Sequence, residues 1–422
     1  MIPAQLISPM PLSKLYAPSR HTSYMRVPCG FQSKKPGRVL KLIRSLYGAK
    51  DAPKLWADLL FNTLRKEGYT QSKCDLCLWY KKDIFLILYV DDCGISYKSE
   101  DLVDDLIASL IKRGFKLTKE GTFAEFLGIQ YSTTDDGNIH LTQQGLIGKI
   151  LDAMDMKDCK SNRLPAACKA LGMDTDGVPF DGPWSYPSVV GMLFYLSTNT
   201  RPDIAFAVSQ IARFTHSPKQ SHAVAVKTLV RYLKGTIAKG TIVRKPSSMK
   251  LETFCDADFC SLYHHDPDDS VSSAKSRSGY VIKLAGCPLI WKSQLMQSIA
   301  LSTAEAEYYS LSLAMRALLL IRALLLEMTS NIRMPPDLVV SPDQFMATVH
   351  EDNTAALSLA VNQRVTSRTR HYDVRRHFFW AAIQDSQVEV VYVDTLRQEA
   401  DYLTKGMPVE GFERIRVLVQ GW

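Results

Sequence analysis

The order of predicted elements after Leu251 constrains the fold more than any other feature of the sequence. A predicted strand ends at Asp256, and short apolar runs predict two more strands over Gly279–Leu284 and Leu289–Lys292. The later predictions are a long helix over Ala304–Met328, a strand over Met346–His350, helices over Thr354–Ala360 and Asp373–Asp385, a strand over Val388–Val393 and a helix over Gln398–Leu403. This order predicts an α/β domain.

Four acidic residues stand at the ends or starts of these predicted elements. Asp256 ends the first strand, and Glu307 lies in the first turns of the long helix. Asp352 follows the fourth strand, and Asp401 lies in the last helix. Each acid has a structural explanation when it is taken alone, because acidic side chains cap helices and favour their first turns.

Another acidic pair, Asp91-Asp92, follows the apolar run Ile84–Val90 in the N-terminal half. Burying two unpaired carboxylates costs several kcal/mol each, and a bound divalent cation is one way to offset that cost. The alternative is a solvated turn at the tip of a hairpin, since the apolar run Cys77–Tyr80 lies just upstream.

Positive charge is concentrated in two segments of this chain, whose net charge is +8. Residues 1–73 hold 13 Lys and Arg against 3 acids, and residues 160–250 hold 13 against 4. The rest of the chain is therefore net acidic. This distribution suits a polyanionic partner, although two solvated basic faces would give the same count.

No membrane segment is expected, because the most apolar stretch, Ala317–Met328, is interrupted by Arg322. The first residues lack a basic start followed by an apolar run, so no secretory signal is expected. Nine scattered cysteines favour reduced thiols in an intracellular setting.

The N-terminal motifs resemble the reverse transcriptase of copia-type retrotransposons. The motifs are Tyr24–Phe31 (YMRVPCGF), Ser45–Pro53 (SLYGAKDAP) with Trp56, Tyr89–Asp92 (YVDD), Phe126–Ile129 (FLGI) and Met156–Lys160 (MKDCK). The resemblance implies an α+β palm and thumb, in which Asp91 and Asp92 are the palm aspartates that bind metal. It also implies that residues 126–129 form the primer grip.

One departure from that family affects the polymerase prediction. The family supplies a further metal-binding Asp from a strand before the YMxxPxGF stretch, and residues 1–50 contain no acid. We therefore expect the fingers and the first palm strand to be missing or replaced, and the polymerase half to be incomplete in this chain.

The C-terminal motifs resemble the ribonuclease H domain that follows reverse transcriptase in copia elements. They are Arg277–Tyr280 (RSGY), Leu301–Tyr308 (LSTAEAEY), Asp352-Asn353, Arg370–Phe378 (RHYDVRRHF) and Ala400–Met407 (ADYLTKGM). The resemblance implies a mixed five-stranded sheet and a metal-binding quartet of Asp256, Glu307, Asp352 and Asp401. It implies two Mg²⁺ (or Mn²⁺) ions, which oxygen ligands favour over zinc. The neighbours Asp258, Glu305 and Glu351 rank second.

The expected fold class is α/β, with the reverse transcriptase part over residues 1–160. A helical connection over 161–248, a ribonuclease H-like domain over 249–405 and a tail over 406–422 complete it. The expected partners are an RNA/DNA hybrid and primer-template nucleic acid, with association with other Pol or Gag products also open. Family habit implies cytoplasmic virus-like particles and the nucleus.

Three interpretations of activity stay open at this point. The first is a ribonuclease H whose truncated polymerase half helps to hold the hybrid. The second is a full reverse transcriptase that another polypeptide completes, and the third is a non-catalytic nucleic-acid-binding remnant of a decayed element. The complete quartet favours the first, and the absence of acids in residues 1–50 weighs against the second.

Overall fold

A computed structural model gives the fold of the chain. It describes residues 4–9, 23–28, 30–31, 39–42, 49–90, 92–122, 124–246, 248–263, 273–331, 345–364, 372 and 377–422. Among these residues, no helix has both the length and the apolar character needed to cross a membrane.

The chain forms two compact units. One contains Met1–Phe126 and Ala323–Met334, and the other contains Leu127–Arg322 and Pro335–Trp422. The four ranges predicted as domains follow different limits and stay predictions about independent folding.

The first unit contains nine strands and two helices among the described residues, along with the end of a third helix. The strands are β1 (Ala4–Pro9), β2 (Ser23–Arg26), β3 (Val39–Leu42), β4 (Thr70–Gln71), β5 (Leu78–Lys81), β6 (Ile84–Tyr89), β7 (Asp92–Tyr97), β8 (Leu117–Thr122) and β9 (Glu125–Phe126); the helices are α1 (Ala52–Lys66) and α2 (Glu100–Lys112). Six strands form one sheet in the order β4-β5-β6-β7-β1-β8. The apolar faces of α1 and α2 contribute Trp56, Leu60 and Leu106 to its core, as their helical periodicity predicts.

Strand β1 bears on the expectation that the first palm strand is missing or replaced. It lies before the YMxxPxGF stretch and pairs antiparallel with both β7 and β8, so Ile7 lies opposite Cys93. Its sequence, AQLISP, has little apolar periodicity and carries no acid. A strand therefore lies beside β7 without an acid, and the prediction of a replaced first palm strand stays open.

The second unit begins with strands and helices that surround a mainly apolar core. They are β10 (Ile129–Thr133), β11 (Ile139–Thr142), α3 (Gln144–Ala153), α4 (Tyr186–Asn199), α5 (Ala205–Ala212), α6 (Gln220–Gly235) and β12 (Thr241–Val243). Strand β11 pairs antiparallel with both β10 and β12. The predicted strand Phe126–Tyr131 is interrupted, because Leu127 and Gly128 both have positive φ and turn the chain there.

The remaining elements of the second unit follow the predicted α/β order. They are β13 (Leu251–Asp258), β14 (Arg277–Leu284), β15 (Cys287–Leu295), α7 (Thr303–Thr329), β16 (Ala347–Glu351), α8 (Thr354–Asn362), α9 (Trp380–Gln384), β17 (Val388–Tyr392), α10 (Asp401–Thr404) and α11 (Val409–Gln420). The sheet order is β15-β14-β13-β16-β17, with β13, β14 and β15 antiparallel and β13, β16 and β17 parallel. The predicted α/β class and mixed five-stranded sheet are confirmed.

The segment 406–422, predicted only as a tail, contains helix α11. This helix buries Phe412, Ile415 and Val419 in the same core that holds α3, α4 and α6. Its last residue, Gln420, donates through Nε2 to Asp203 Oδ1 (3.1 Å). The other oxygen of the same carboxylate accepts from Arg201 Nη2 (2.8 Å). A buried ion pair thus helps to hold the chain's last helix.

Candidate metal centre

Two of the predicted acids are brought together by the register of adjacent parallel strands. Phe254 on β13 lies opposite His350 on β16. Asp256 and Asp352 each lie two residues further along, so they meet at the same carboxyl edge of the sheet. Asp352 follows β16 directly, and its Oδ2 accepts a hydrogen bond from Thr395 Oγ1 (3.0 Å). This hydroxyl fixes one oxygen of the carboxylate.

Glu307 reaches this edge because α7 is fastened to β13 and β14 one turn further on. Ser310 Oγ donates to the carbonyl oxygen of Asp256 (2.8 Å) and lies 3.2 Å from the carbonyl oxygen of Gly279. Residues three apart on a helix share a face, so the same side of α7 that carries Ser310 also carries Glu307. The helix therefore delivers the carboxylate to the strand ends.

Three carboxylates converge as a result. Each of Asp256, Glu307 and Asp352 offers one oxygen, and these three oxygens lie within 4.8 Å of one another. Asp256 and Glu307 are buried, with exposed fractions of 3% and 5%. Glu307 Oε2 has no hydrogen-bond partner among the described residues although it is buried. Hard oxygen ligands with an unsatisfied buried oxygen fit a divalent cation such as Mg²⁺ or Mn²⁺.

Asp401, the fourth predicted acid, lies beside this trio but is not part of the 4.8 Å group. It begins α10, and its Oδ1 lies 2.9 Å from Lys405 Nζ, an i,i+4 pair. Thr404 Oγ1, on the same short helix, donates to Asp256 Oδ2. A Cβ at Gly279 would lie 2.8 Å from Leu403 Cβ, so glycine on β14 is what allows α10 to approach Asp256.

The pKa values of the two buried acids of the trio are raised, because they are desolvated and the carboxylates lie close together with little positive charge nearby. Burial, together with the negative charges of Asp401 and Asp352, raises the pKa of Asp256 to about 7, although Lys405 and Thr404 oppose the shift. Burial also raises the pKa of Glu307 far above its usual range, and the negative charge of Asp256 adds to that effect. A cation at the trio would relieve both effects.

The neighbours that ranked second make other contacts. Glu305 Oε2 accepts from the backbone N–H of Leu301 (2.9 Å), and its own N–H donates to Ser302 Oγ (3.2 Å), so both contacts support the start of α7. Glu351 accepts from the N–H of Asn353 (3.0 Å). Neither belongs to the trio, and neither does Asp258.

The two predicted palm acids, Asp91 and Asp92, are not seen in a comparable cluster among the described residues. Asp91 lies outside the described residues. Asp92 begins β7, pairs with Tyr89 across the hairpin turn and is partly exposed. The described residues bring no second acid into a metal-binding group with Asp92.

Sequence reasoning missed Thr404 and Lys405, which hold Asp256 and Asp401. Their signal was present, because Lys405 stands four residues after Asp401 in the ADYLTKGM stretch and an i,i+4 acid–base pair shares a helix face. The close approach at Gly279 was visible only as a glycine in a predicted strand.

Comparison with known proteins defines the class of this chain. Residues 13–168 match the family model "Reverse transcriptase (RNA-dependent DNA polymerase)". The Pol polyprotein of transposon RE1 from Arabidopsis thaliana is 32% identical over 92% of this chain and 25% of its own length. That of transposon TNT 1-94 from Nicotiana tabacum is 31% identical over 94% of this chain and 29% of its own length.

Residues 13–168 therefore carry a reverse transcriptase domain, and the chain is similar over most of its length to the Pol polyproteins of copia-type transposons. It spans between a quarter and a third of the length of these two polyproteins. One solved structure, the N-terminal RNase H domain of Rv2228c from Mycobacterium tuberculosis fused to maltose-binding protein, matches with a TM-score of 0.24 and 15% identity. That match covers 40% of this chain and 96% of the other.

Proposed function

We propose that the chain is a metal-dependent nuclease that cleaves the RNA strand of RNA/DNA hybrids. The observation that carries this proposal is the convergence of Asp256, Glu307 and Asp352 within 4.8 Å, with one buried oxygen of Glu307 lacking a partner among the described residues. Family membership supports nucleic acid as the substrate class.

In this proposal Asp256, Glu307 and Asp352 hold Mg²⁺ or Mn²⁺, and Asp401 contributes to a second ion. Bound divalent cations supply activation of water and stabilisation of the leaving 3′-oxygen of a phosphodiester. The chain's own residues orient the ligands: Thr404 donates to Asp256, Thr395 donates to Asp352, and Lys405 holds Asp401. Selectivity for RNA would come from contacts to 2′-hydroxyls in the minor groove of the hybrid.

The polymerase half is proposed to bind nucleic acid without extending a primer. Strand β1 pairs beside β7 but carries no acid, and the first acid of the chain is Asp51. Completion by another polypeptide, association with other Pol or Gag products, and residence in cytoplasmic particles or the nucleus remain proposals that follow from family membership.

The test is cleavage of a hybrid whose RNA strand is labelled, with the full chain and Mg²⁺. We expect RNA products that disappear with a chelator and in Asp256→Asn, while the matched variant Asp258→Asn, two residues along the same strand, retains cleavage. A folded, hybrid-binding chain that cleaves nothing would favour the non-catalytic remnant instead. Cleavage that survives Asp256→Asn would show that the metal ligands were assigned wrongly.

A further inference from the structure

A groove of about 570 Å³ lies where α4 and α5 border the edge strand β15 of the five-stranded sheet. No acidic residue lines it among the described part of the chain. Its polar lining consists of two cations, four hydroxyls and one amide: Arg213, Lys292, Ser197, Thr198, Ser209, Ser293 and Gln294. The rest of its lining is apolar: Phe194, Ala205, Val208, Ala212, Trp291 and Leu295. Cations and hydroxyls without a carboxylate, beside an apolar wall, suit an anionic group that is attached to an apolar one.

Arg277 lies buried behind two of these hydroxyls, with 1% of its surface exposed. Its Nη1 donates to Ser209 Oγ (2.6 Å) and to Ser293 Oγ (3.3 Å), and its Nη2 donates to Gln210 Oε1 (3.3 Å). These partners are neutral, and the described residues place no carboxylate in an ion pair with this guanidinium. A buried charge whose hydrogen-bond partners are all neutral retains much of its desolvation cost, although the charge of Asp258, opposite Arg277 in the register of β13 and β14, offsets part of it.

The hydrogen bonds from Arg277 fix what the two serines can do. Each hydroxyl oxygen accepts from the guanidinium, so each hydroxyl proton is left to donate to another group. Neither Ser209 nor Ser293 donates to an acceptor among the described residues. Because both serines line the groove, they offer two donors, polarised by a buried cation, to whatever occupies it.

Arg213 adds positive charge to the same place. Its Nη1 donates to the carbonyl oxygen of Leu171 (2.9 Å), and its guanidinium lies over the ring of Phe214. Burial and the nearby charge of Arg213 lower the pKa of Arg277 to about 9, although Asp258 opposes the shift. An anion in the groove would remove the repulsion between the two guanidinium groups.

We propose that this groove binds a backbone phosphate of a nucleic-acid strand. The hydroxyls of Ser209 and Ser293 and the cations of Arg213 and Lys292 are its donors. Phe194, on the groove wall, is 57% exposed and offers a flat apolar face to the adjoining sugar or base. The inference rests on the proposed function only in taking nucleic acid as the ligand, and it does not require that the trio cleave.

The test measures binding of a labelled RNA/DNA hybrid to the full chain in the presence of a chelator, so that cleavage does not contribute. We expect Lys292→Gln to weaken binding by about 10-fold near physiological salt and to reduce the slope of log affinity against log salt by about 1. Arg213→Gln combined with Lys292→Gln should reduce that slope by about 2. The matched control, Lys227→Gln on the exposed side of α6 and outside the groove lining, should change neither quantity.

A second variant separates hydrogen bonding from charge. Ser209→Ala with Ser293→Ala should weaken binding while leaving the salt slope unchanged, because no cation is removed. Thermal unfolding of each variant checks that the fold persists. If Lys292→Gln behaves as Lys227→Gln does, the groove proposal is wrong even where the hybrid is cleaved. If Lys292→Gln weakens binding and the unmodified chain does not cleave the hybrid, the groove proposal holds and the nuclease proposal fails.

Discussion

The two acidic regions of this chain stand on comparable β-sheet edges but differ in what surrounds them. In the second unit, Asp256 and Glu307 are buried and meet Asp352 within 4.8 Å. In the first unit, Asp92 is partly exposed at a hairpin turn, and the neighbouring strand β1 contributes no acid. Burial of charge is costly, so the acids of the second unit favour protonation or a bound cation, whereas the partly exposed Asp92 of the first unit needs neither.

The largest expected effect on hybrid cleavage comes from one of two glutamates on the same helix, α7. Glu307→Gln should reduce hybrid cleavage by about 10³-fold or more, because it removes a ligand from the carboxylate trio. Glu305→Gln should leave the cleavage rate within about 3-fold and change the free energy of unfolding by less than about 0.5 kcal/mol, because the glutamine oxygen can still accept from the N–H of Leu301. Single-turnover cleavage and thermal unfolding measure the two effects. Equal loss of cleavage in both variants would contradict the distinction.

A third buried acid sharpens the comparison, because it has its own cation. Arg201 and Asp203 are both fully buried, and Tyr232 Oη also donates to Asp203 Oδ2 (2.6 Å). Burial opposes ionisation of Asp203, but Arg201 and its hydrogen bonds hold the pKa of Asp203 below its usual value. Asp203→Asn should therefore lower the free energy of unfolding by about 3–5 kcal/mol, since it leaves Arg201 unpaired.

Urea unfolding of the full chain, followed by circular dichroism, measures this loss in the free energy of unfolding. Asp385→Asn, an exposed acid at the end of α9, serves as the matched control and should change the free energy of unfolding by less than about 0.5 kcal/mol. A loss as small as that of the control would mean that the buried pair does not support the last helix.

The trio should make stability depend on pH in the direction opposite to that of Asp203, because the pKa of Asp203 is lowered and that of Asp256 is raised. Because burial raises the pKa of Asp256 to about 7, the folded metal-free chain binds more protons than the unfolded chain between about pH 4 and pH 7. The free energy of unfolding should therefore fall as pH rises through this window, by roughly 1–3 kcal/mol. Mg²⁺ should restore stability at pH 7.

Chemical unfolding at several pH values, with a chelator or with Mg²⁺, measures this dependence. Asp256→Asn should flatten the decline. A metal-free chain whose stability rises over the same window, or one that Mg²⁺ leaves unchanged, would contradict a carboxylate trio that lacks compensating charge.

The smallest expected effect belongs to the palm. Asp92→Asn should leave hybrid cleavage within about 2-fold, because Asp92 belongs to the other acidic region and the trio supplies the proposed chemistry. The measurement is the same cleavage assay with matched protein concentrations. A large loss of cleavage would mean that the palm acid takes part in the nuclease reaction.

The sequence predicted the α/β element order well because the apolar pattern of its helices and the apolar runs of its strands are both strong in this chain. The strand over β13 and the helix over α7 were placed within two or three residues of their observed ends. The parallel register of β13 and β16 then accounts for the meeting of Asp256 and Asp352, which element order alone could only suggest.

The rest depended on contacts that are distant in sequence. Strand β1 was missed because its six residues carry little apolar periodicity, and its pairing with β7 and β8 provides its place. The buried position of Arg277 could not be predicted either, because it lies two residues before the predicted strand Gly279–Leu284 and the sequence gives no sign of the two serines that hold it. Helix α11 was taken for a tail although it packs Phe412 and Ile415 into the core.

The most direct measurement uses one preparation of the full chain and one substrate, a DNA primer annealed to labelled RNA, with Mg²⁺ and deoxynucleotides. Both strands are followed in the same reaction. The account predicts that the RNA is shortened and the primer is not extended, and that Glu307→Gln abolishes the shortening. Primer extension that Asp92→Asn abolishes, with the RNA left intact, would contradict it.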